Sequence, residues 1–370
     1  MSTPAGKPLR VGLLGGGVIG ATHGLMLAEI ARKCPGTVTL EAIAEPLSEQ
    51  RQVFVEHLGV RHGYADAREL IEHAEIDAVF VCTPTDTHLE LVRAATARGL
   101  HLFCEKPLGM NLDEACEIAR LVEAAGVRAQ VGLVLRYSAV YDVMREFACD
   151  PAAGRPMAWV MRDDQCLPIR GLHGTPWRAD PTRTAGGTLV EHGIHDLDLV
   201  QWMFGPVRRL RASVRHLAGH PGIEDYAAVE LELESGLRAQ IVNVWHDMVQ
   251  RPSNRRLEIV CERRFIGSEH DMAGPIEVQT GDEARVILAE AETLARFAAR
   301  HPEIPAALHG SLGAPYLAQD LAFVRALHEG RPPQPSLADG IAAQRLAELA
   351  YRSAREDRTI TLAEEPDLAP

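Results

Sequence analysis

Residues 9–33 read LRVGLLGGGVIGATHGLMLAEIARK: a short aliphatic run, three consecutive glycines with a fourth at Gly20, then apolar residues at helical spacing. A strand that turns through glycine directly into a helix opens a βα unit. The same rhythm continues with the aliphatic runs VTLEAIA, AVFVC, HLFC and AQVGLVL, separated by amphipathic stretches. Asp66 stands where it can cap the helix RELIEHA, Ser48 where it can cap a helix closing at Gly59, and Gly99 and Gly126 where a C-terminal glycine belongs. Residues 1–135 therefore predict a doubly wound parallel sheet of the Rossmann type.

From Arg136 the pattern changes. Pro, Gly and Arg crowd residues 150–187, and a helical stretch runs from Val190 to Phe204. The runs RLRASVRHLA, YAAVELELES, LRAQIVNVWH and RLEIVCE then alternate like sequential antiparallel strands, with Glu234-Ser235-Gly236 as a hairpin turn. Residues 136–370 predict an α+β domain built on a large, open, mostly antiparallel sheet, which makes the chain α/β overall. Its last helices, over residues 316–358 and interrupted by GRPPQPS, are expected to pack back toward the first domain.

With 46% hydrophobic and 24% charged residues, the 370-residue chain has the composition of a globular protein able to bury a full core. Acidic residues outnumber basic ones 51 to 38, and no basic run is present to neutralise phosphates, so nucleic acid is not an expected partner. The N-terminal MSTPAGKPLR lacks an apolar signal core, and no stretch approaches the roughly 18–20 apolar residues of a membrane span. The seven cysteines are scattered, without a C-x-x-C pair, which fits a reducing, cytoplasmic location.

Gly15-x-Gly17-x-x-Gly20 has the spacing that binds a dinucleotide. The first glycine permits the tight turn, the second lets backbone approach a pyrophosphate, and the third lets helix pack on strand. Val18 and Ile19 would present their amides to that pyrophosphate at the helix N-terminus. Glu45 ends the second strand, where a carboxylate can accept hydrogen bonds from the adenosine ribose hydroxyls and repel a 2′-phosphate. NAD is expected rather than NADP, with the nearby Arg51 arguing the other way. Glu105-Lys106-Pro107 follows the fifth strand, at the carboxyl edge where ligands of such sheets collect. A lysine beside a cationic nicotinamide would have a lowered pKa and could exchange a proton near neutrality; a surface loop lysine is the plain alternative.

The Gly15-x-Gly17-x-x-Gly20 loop, the Thr83-Pro84 turn followed by His88, Glu105-Lys106-Pro107, Trp177-Arg178, and Gly186-Gly187 leading to His195 together resemble the glucose-fructose oxidoreductase, inositol dehydrogenase and rhizopine catabolism (Gfo/Idh/MocA) family. The resemblance extends from about Arg10 to Arg358. It implies that Lys106 is an active-site lysine in a turn whose Lys-Pro bond is often cis, and that Cys82, Thr83, Pro84, His88 and Glu105 lie at the cofactor. It also implies an Asp followed four residues later by His; here Glu191 takes the Asp position and His195 matches. Metal-free hydride transfer, sugar, cyclitol or polyol substrates, and a homodimer or homotetramer formed through the open sheet are further implications.

Glu191, His195, Asp198 and Trp202 fall at i, i+4, i+7 and i+11, one face of a helix. His192 and His195, three apart beside Glu191, could hold a metal ion, but no further His/Cys pair has metal-like spacing and no metal is expected. The expected chemistry is reversible oxidation of a secondary alcohol. Hydride passes to nicotinamide C4, the hydroxyl proton passes to His195, and Lys106 stabilises the developing alkoxide or serves as the base itself. Glu191 orients the imidazole or binds a neighbouring hydroxyl. Arg136, Trp177, Arg178, His192, Trp245 and His246 are candidates for substrate contact. A redox-neutral, glycosidase-like enzyme on tightly held NAD and a non-catalytic dinucleotide-binding regulator are the alternatives.

Overall fold

The near-continuous apolar runs of the first half become strands buried on both faces. In the computed structural model, which describes residues 7–170 and 174–365, six strands pair in parallel. They are β1 (Leu9–Leu14), β2 (Val38–Ala44), β3 (His62–Tyr64), β4 (Ala78–Val81), β5 (His101–Cys104) and β6 (Ala129–Val131), in the order β3-β2-β1-β4-β5-β6. Every residue of β4 and β5 is buried, as a parallel sheet covered by helices requires. The covering helices are α1 (Val18–Lys33), α2 (Ser48–His57), α3 (Ala67–His73), α4 (His88–Ala97) and α5 (Leu112–Ala125). Asp66 caps α3 by accepting from the amides of Arg68 (2.6 Å) and Glu69 (3.3 Å). Gly126 closes α5 in the left-handed region (φ 63°), where a side chain would be strained. Ser48 departs from expectation. It is the first residue inside α2, and Leu47 holds the cap position without a side-chain bond.

The chain clusters into two units: residues 1–133 with 303–341, and residues 134–302 with 342–370. The second is built on a nine-stranded sheet. Its strands are β7 (Pro156–Cys166), β8 (Val207–Arg215), β9 (Tyr226–Leu233), β10 (Arg238–His246), β11 (Asn254–Cys261), β12 (Arg264–Ser268), β13 (Ile276–Thr280), β14 (Val286–Leu288) and β15 (Ile360–Thr361). Their order is β14-β13-β12-β11-β7-β10-β9-β8-β15, and only β7 and β10 run parallel. The helices α6 (Ala139–Cys149), α7 (Ile194–Phe204) and α8 (Glu290–Arg300) belong to this unit.

The Pro/Gly/Arg-rich stretch expected to be irregular contains β7, which lies between β10 and β11 inside the sheet. Trp159, Met161 and Asp163 point to its buried side, and the two adjacent aspartates at Asp163-Asp164 interrupt the apolar alternation that marks a strand. Residues 171–173 of that stretch lie outside the described residues. The final helices are α9 (Pro315–His328), packed on α1 within the first unit, and α10 (Leu337–Glu356), whose residues are divided between the units.

Candidate active site

The loops that end β1, β4 and β5 form one contiguous edge of the first unit. Gly15 has φ +94°, and a Cβ there would lie 2.8 Å from the Cys82 carbonyl, so the glycine loop and the loop after β4 touch backbone to backbone. A Cβ on Gly20 would meet Gly15 O at 2.0 Å, while a Cβ on Gly17 would meet nothing within 4 Å. The turn is thus tight beneath and open above. Gly17 caps α1 without a side-chain bond, and no carboxylate occupies the first turn. The amides of Val18 and Ile19 are left for a ligand at the positive end of the helix. These features fit a pyrophosphate.

Glu45 is buried beside them. Its two oxygens accept from the Gly16 amide (2.8 Å) and the Leu47 amide (3.0 Å), which fixes the carboxylate at the rim of the glycine loop. Arg51 is engaged with the main chain: its guanidinium donates to the carbonyls of Glu45 and Pro46.

His88 ties the loop after β4 to the turn after β5. Its Nε2 lies 3.0 Å from the Thr83 carbonyl, and its Nδ1 lies 3.1 and 3.2 Å from the carbonyls of Pro107 and Leu108. Thr87 Oγ1 bonds Thr83 Oγ1 (2.7 Å) and the Pro84 carbonyl (2.8 Å), shaping the same loop. The Lys106-Pro107 peptide is cis. Glu105 is 6% exposed, and its carboxylate is directed inward, where it meets His23 (3.2 Å) and accepts from the Lys106 amide (3.2 Å). Burial and the Glu105 charge push the thiols of Cys82 and Cys104 upward, so both stay protonated.

In the second unit the segment 189–193 is a single π-helical turn that leads into α7. Such a turn inserts a residue into the helical repeat and redirects the side chains around it. It is anchored by a residue that sequence patterns did not single out. Glu224 accepts from the amides of Gly187 (2.7 Å) and Leu189 (2.9 Å) and from the Tyr351 hydroxyl (2.7 Å). The paired glycines were its only trace: a Cβ on Gly187 would collide with Glu224 backbone at 1.9 Å.

Glu191 and His195 are both buried. Glu191 Oε1 accepts from Thr184 Oγ1 (2.8 Å), and Oε2 lies 3.5 Å from Arg178 Nε. Arg178 in turn stacks on Trp177, 4.4 Å from the ring centroid. Glu191 therefore joins the π turn to the Trp177-Arg178 turn. His192 is directed to a different partner, with Nδ1 2.8 Å from Asp163 Oδ2. Beneath it lies an ionic layer. Arg255 contacts Asp163 (3.2 Å), Asp196 (3.1 Å) and Asp271 (3.0 Å), and Asn243 donates to Asp196 (2.6 Å). Burial drives the carboxyls of Asp163 and Asp196 upward, against the pull of Arg255. Among the described residues no group of three His, Cys, Asp or Glu side chains is arranged to hold a metal ion.

Arg136 forms a bidentate pair with the buried Asp198 (2.8 and 2.6 Å). Trp245 is 4% exposed and packs with Leu167 and Ile223, a core contact. His246 Nε2 faces Asp164 at 3.5 Å.

Comparison with known proteins identifies the family. Residues 9–133 match the model of an oxidoreductase family with an NAD-binding Rossmann fold, and residues 141–266 match the GFO/IDH/MocA C-terminal domain. The chain is 28% identical over 369 residues to a myo-inositol 2-dehydrogenase of Thermotoga maritima, covering 96% of this chain and 99% of that one. It is 27% identical over 363 residues to an inositol 2-dehydrogenase of Rhizobium meliloti, again covering 96% and 99%. In fold it is similar to a levoglucosan dehydrogenase solved with NADH and levoglucosan: TM-score 0.83 at 21% identity, covering 96% of this chain and 100% of that one.

Proposed function

Because the chain belongs to the Gfo/Idh/MocA family of oxidoreductases with an NAD-binding Rossmann fold, we propose that it transfers a hydride between NAD and a secondary alcohol of a cyclitol, sugar or related polyol. The observation that carries this reading is the contiguous loop edge. The open glycine turn, the Glu45 carboxylate and the Lys106 turn are held together by backbone contact and by His88. The full-length relatives named for inositol oxidation support the substrate class.

The Gly15–Gly20 loop and the first turn of α1 would hold the pyrophosphate, and Glu45 the adenosine ribose. Bound NAD supplies the hydride acceptor. His195 takes the proton of the alcohol, a general-base role to which an imidazole is suited. Lys106 is assigned to stabilise the negative charge that develops as an alcohol is oxidised, or to serve as the base itself. Glu191 holds Arg178 and Thr184 in place, which gives the longer carboxylate a role in shaping substrate contact.

The test is an assay of purified protein with NAD and with NADP against myo-inositol, scyllo-inositol, levoglucosan and a panel of sugars, following NADH formation by absorbance. Turnover with NAD on at least one such alcohol is expected. Lys106→Ala and His195→Ala should each lower turnover on the order of 10²-fold or more while leaving NADH binding nearly unchanged. Tight NAD binding with no net NADH release on any member of the panel would sink the reading. Near-normal turnover in either variant would remove that residue from the mechanism.

A further inference from the structure

Three ionisable side chains are sealed beneath the Lys106 turn. His23, on α1, is fully buried, with Nδ1 2.8 and 3.0 Å from the carboxylate oxygens of Asp320 on α9 and Nε2 3.2 Å from Glu105 Oε1. Asp320 is itself fully buried. Aromatic rings enclose the imidazole: Phe80, Phe103 and Tyr316 have centroids 5.3, 4.9 and 5.6 Å away. Burying such a cluster contributes less to stability than apolar residues of similar volume would, so packing alone does not account for it.

The cluster has one contact that leads out of the core. Glu105 uses Oε1 for His23 and Oε2 for the amide of Lys106. The backbone makes room for this posture at Gly132, where a Cβ would stand 2.4 Å from Glu105 Oε1.

We propose that Asp320, His23 and Glu105 form a positioning relay that fixes the main chain of Lys106, and through it the direction of the lysine side chain. The inference rests on the reading of Lys106 as an active-site residue. Asp320 orients the imidazole, the imidazole holds one oxygen of Glu105, and the other oxygen pins the Lys106 peptide. None of the three is a catalytic residue, since none needs to touch substrate. A displacement of about 1 Å at a reacting group is enough to slow a reaction on the order of 10²-fold, so a relay of this kind acts on turnover rather than on binding.

Replacing His23 by an apolar residue would leave two carboxylates buried without a cation and endanger folding, so the test uses other variants. Glu105→Ala cuts the link and leaves the His23–Asp320 pair balanced. Gly132→Ala pushes the Glu105 carboxylate aside without removing any polar group. Glu105→Gln keeps the side-chain length and one carbonyl acceptor, which can still take the Lys106 amide, and removes the charge that faces His23.

Turnover and KM are measured on the most active alcohol of the panel above, and affinity by NADH fluorescence. The Lys106 amide is followed by hydrogen exchange in cofactor-free protein. Glu105→Ala and Gly132→Ala should lower kcat at least ~10-fold, with KM and the NADH Kd within about threefold of the parent, and should speed exchange of the Lys106 amide at least ~10-fold. Glu105→Gln, which retains an acceptor for the Lys106 amide, should keep more of kcat and of amide protection than Glu105→Ala does.

A normal kcat and slow exchange in Glu105→Ala would overturn the relay. So would a loss in Glu105→Gln equal to that in Glu105→Ala, which would assign the effect to charge, or a loss of NADH binding in Glu105→Ala, which would make Glu105 a cofactor ligand. Lys106→Ala, assayed alongside, separates the two layers. Normal turnover there rejects the underlying reading of Lys106, whereas a dead Lys106→Ala beside an unimpaired Glu105→Ala rejects the relay alone.

Discussion

The carboxylate of Glu45 serves two ends. Its hydrogen bonds to the Gly16 and Leu47 amides hold the glycine loop, and on the proposed reading its charge discriminates against a 2′-phosphate on the adenosine ribose. Replacement by Gln removes the charge and keeps one of the two acceptors, so one of the loop hydrogen bonds is retained. Glu45→Gln should reduce the preference for NAD over NADP, measured as the ratio of kcat/KM values, on the order of 10-fold, the effect of about 1.4 kcal/mol of lost repulsion. An unchanged ratio would show that discrimination lies elsewhere. The position of Glu45 directly after the second strand was legible in the sequence because its spacing from the glycines belongs to a local βαβ fingerprint. The orientation of Arg51 was not. Whether a guanidinium meets a 2′-phosphate or a main-chain carbonyl depends on side-chain torsions that no spacing encodes, and here it meets the carbonyls of Glu45 and Pro46.

At the scale of elements, the helix around His195 was visible but its register was not. A uniform α-helix sets Glu191 and His195 on one face at i and i+4; the π turn at Leu189–Gly193 changes how they are presented. The cause lies outside the segment, in Glu224 on the approach to β9, whose carboxylate captures the Gly187 and Leu189 amides. The same distance from local pattern hid β7, whose place between β10 and β11 is set by partners far along the chain. Gly187 is where the two segments press together. Gly187→Ala drives a methyl against the Glu224 backbone, which cannot rotate away as a side chain could. It should cost on the order of 3 kcal/mol in urea-induced unfolding. A loss below about 0.5 kcal/mol would mean that the π turn moves freely relative to Glu224.

The whole chain is needed to see why a histidine sits inside the dinucleotide-binding unit, since its partner Asp320 is 297 residues away in sequence. Burial disfavours the His23 imidazolium, but Asp320 and Glu105 outweigh burial and raise its pKa to about 10. Below pH ~6.5 the folded and unfolded chains both hold this proton; between ~6.5 and about 10 only the folded chain does. The stability it contributes is therefore complete below pH ~6.5 and is lost as pH rises through about 10, with a limiting slope of about 1.4 kcal/mol per pH unit. The groups facing the imidazole leave a clear interval for measurement. Burial raises Asp320 to about 6, so its effect lies lower in pH. Cys82 and Cys104 are pushed upward, and their influence begins only where thiols of the unfolded chain ionise, near pH ~8.5. Urea midpoints taken between about pH 7 and about pH 8.5 should decline for the parent. They should decline less for Glu105→Gln, because removing one anion lowers the pKa of His23 in the folded chain. Equal and flat midpoints in both proteins would mean that His23 is neutral when folded, and the ionic account of this core would have to be abandoned.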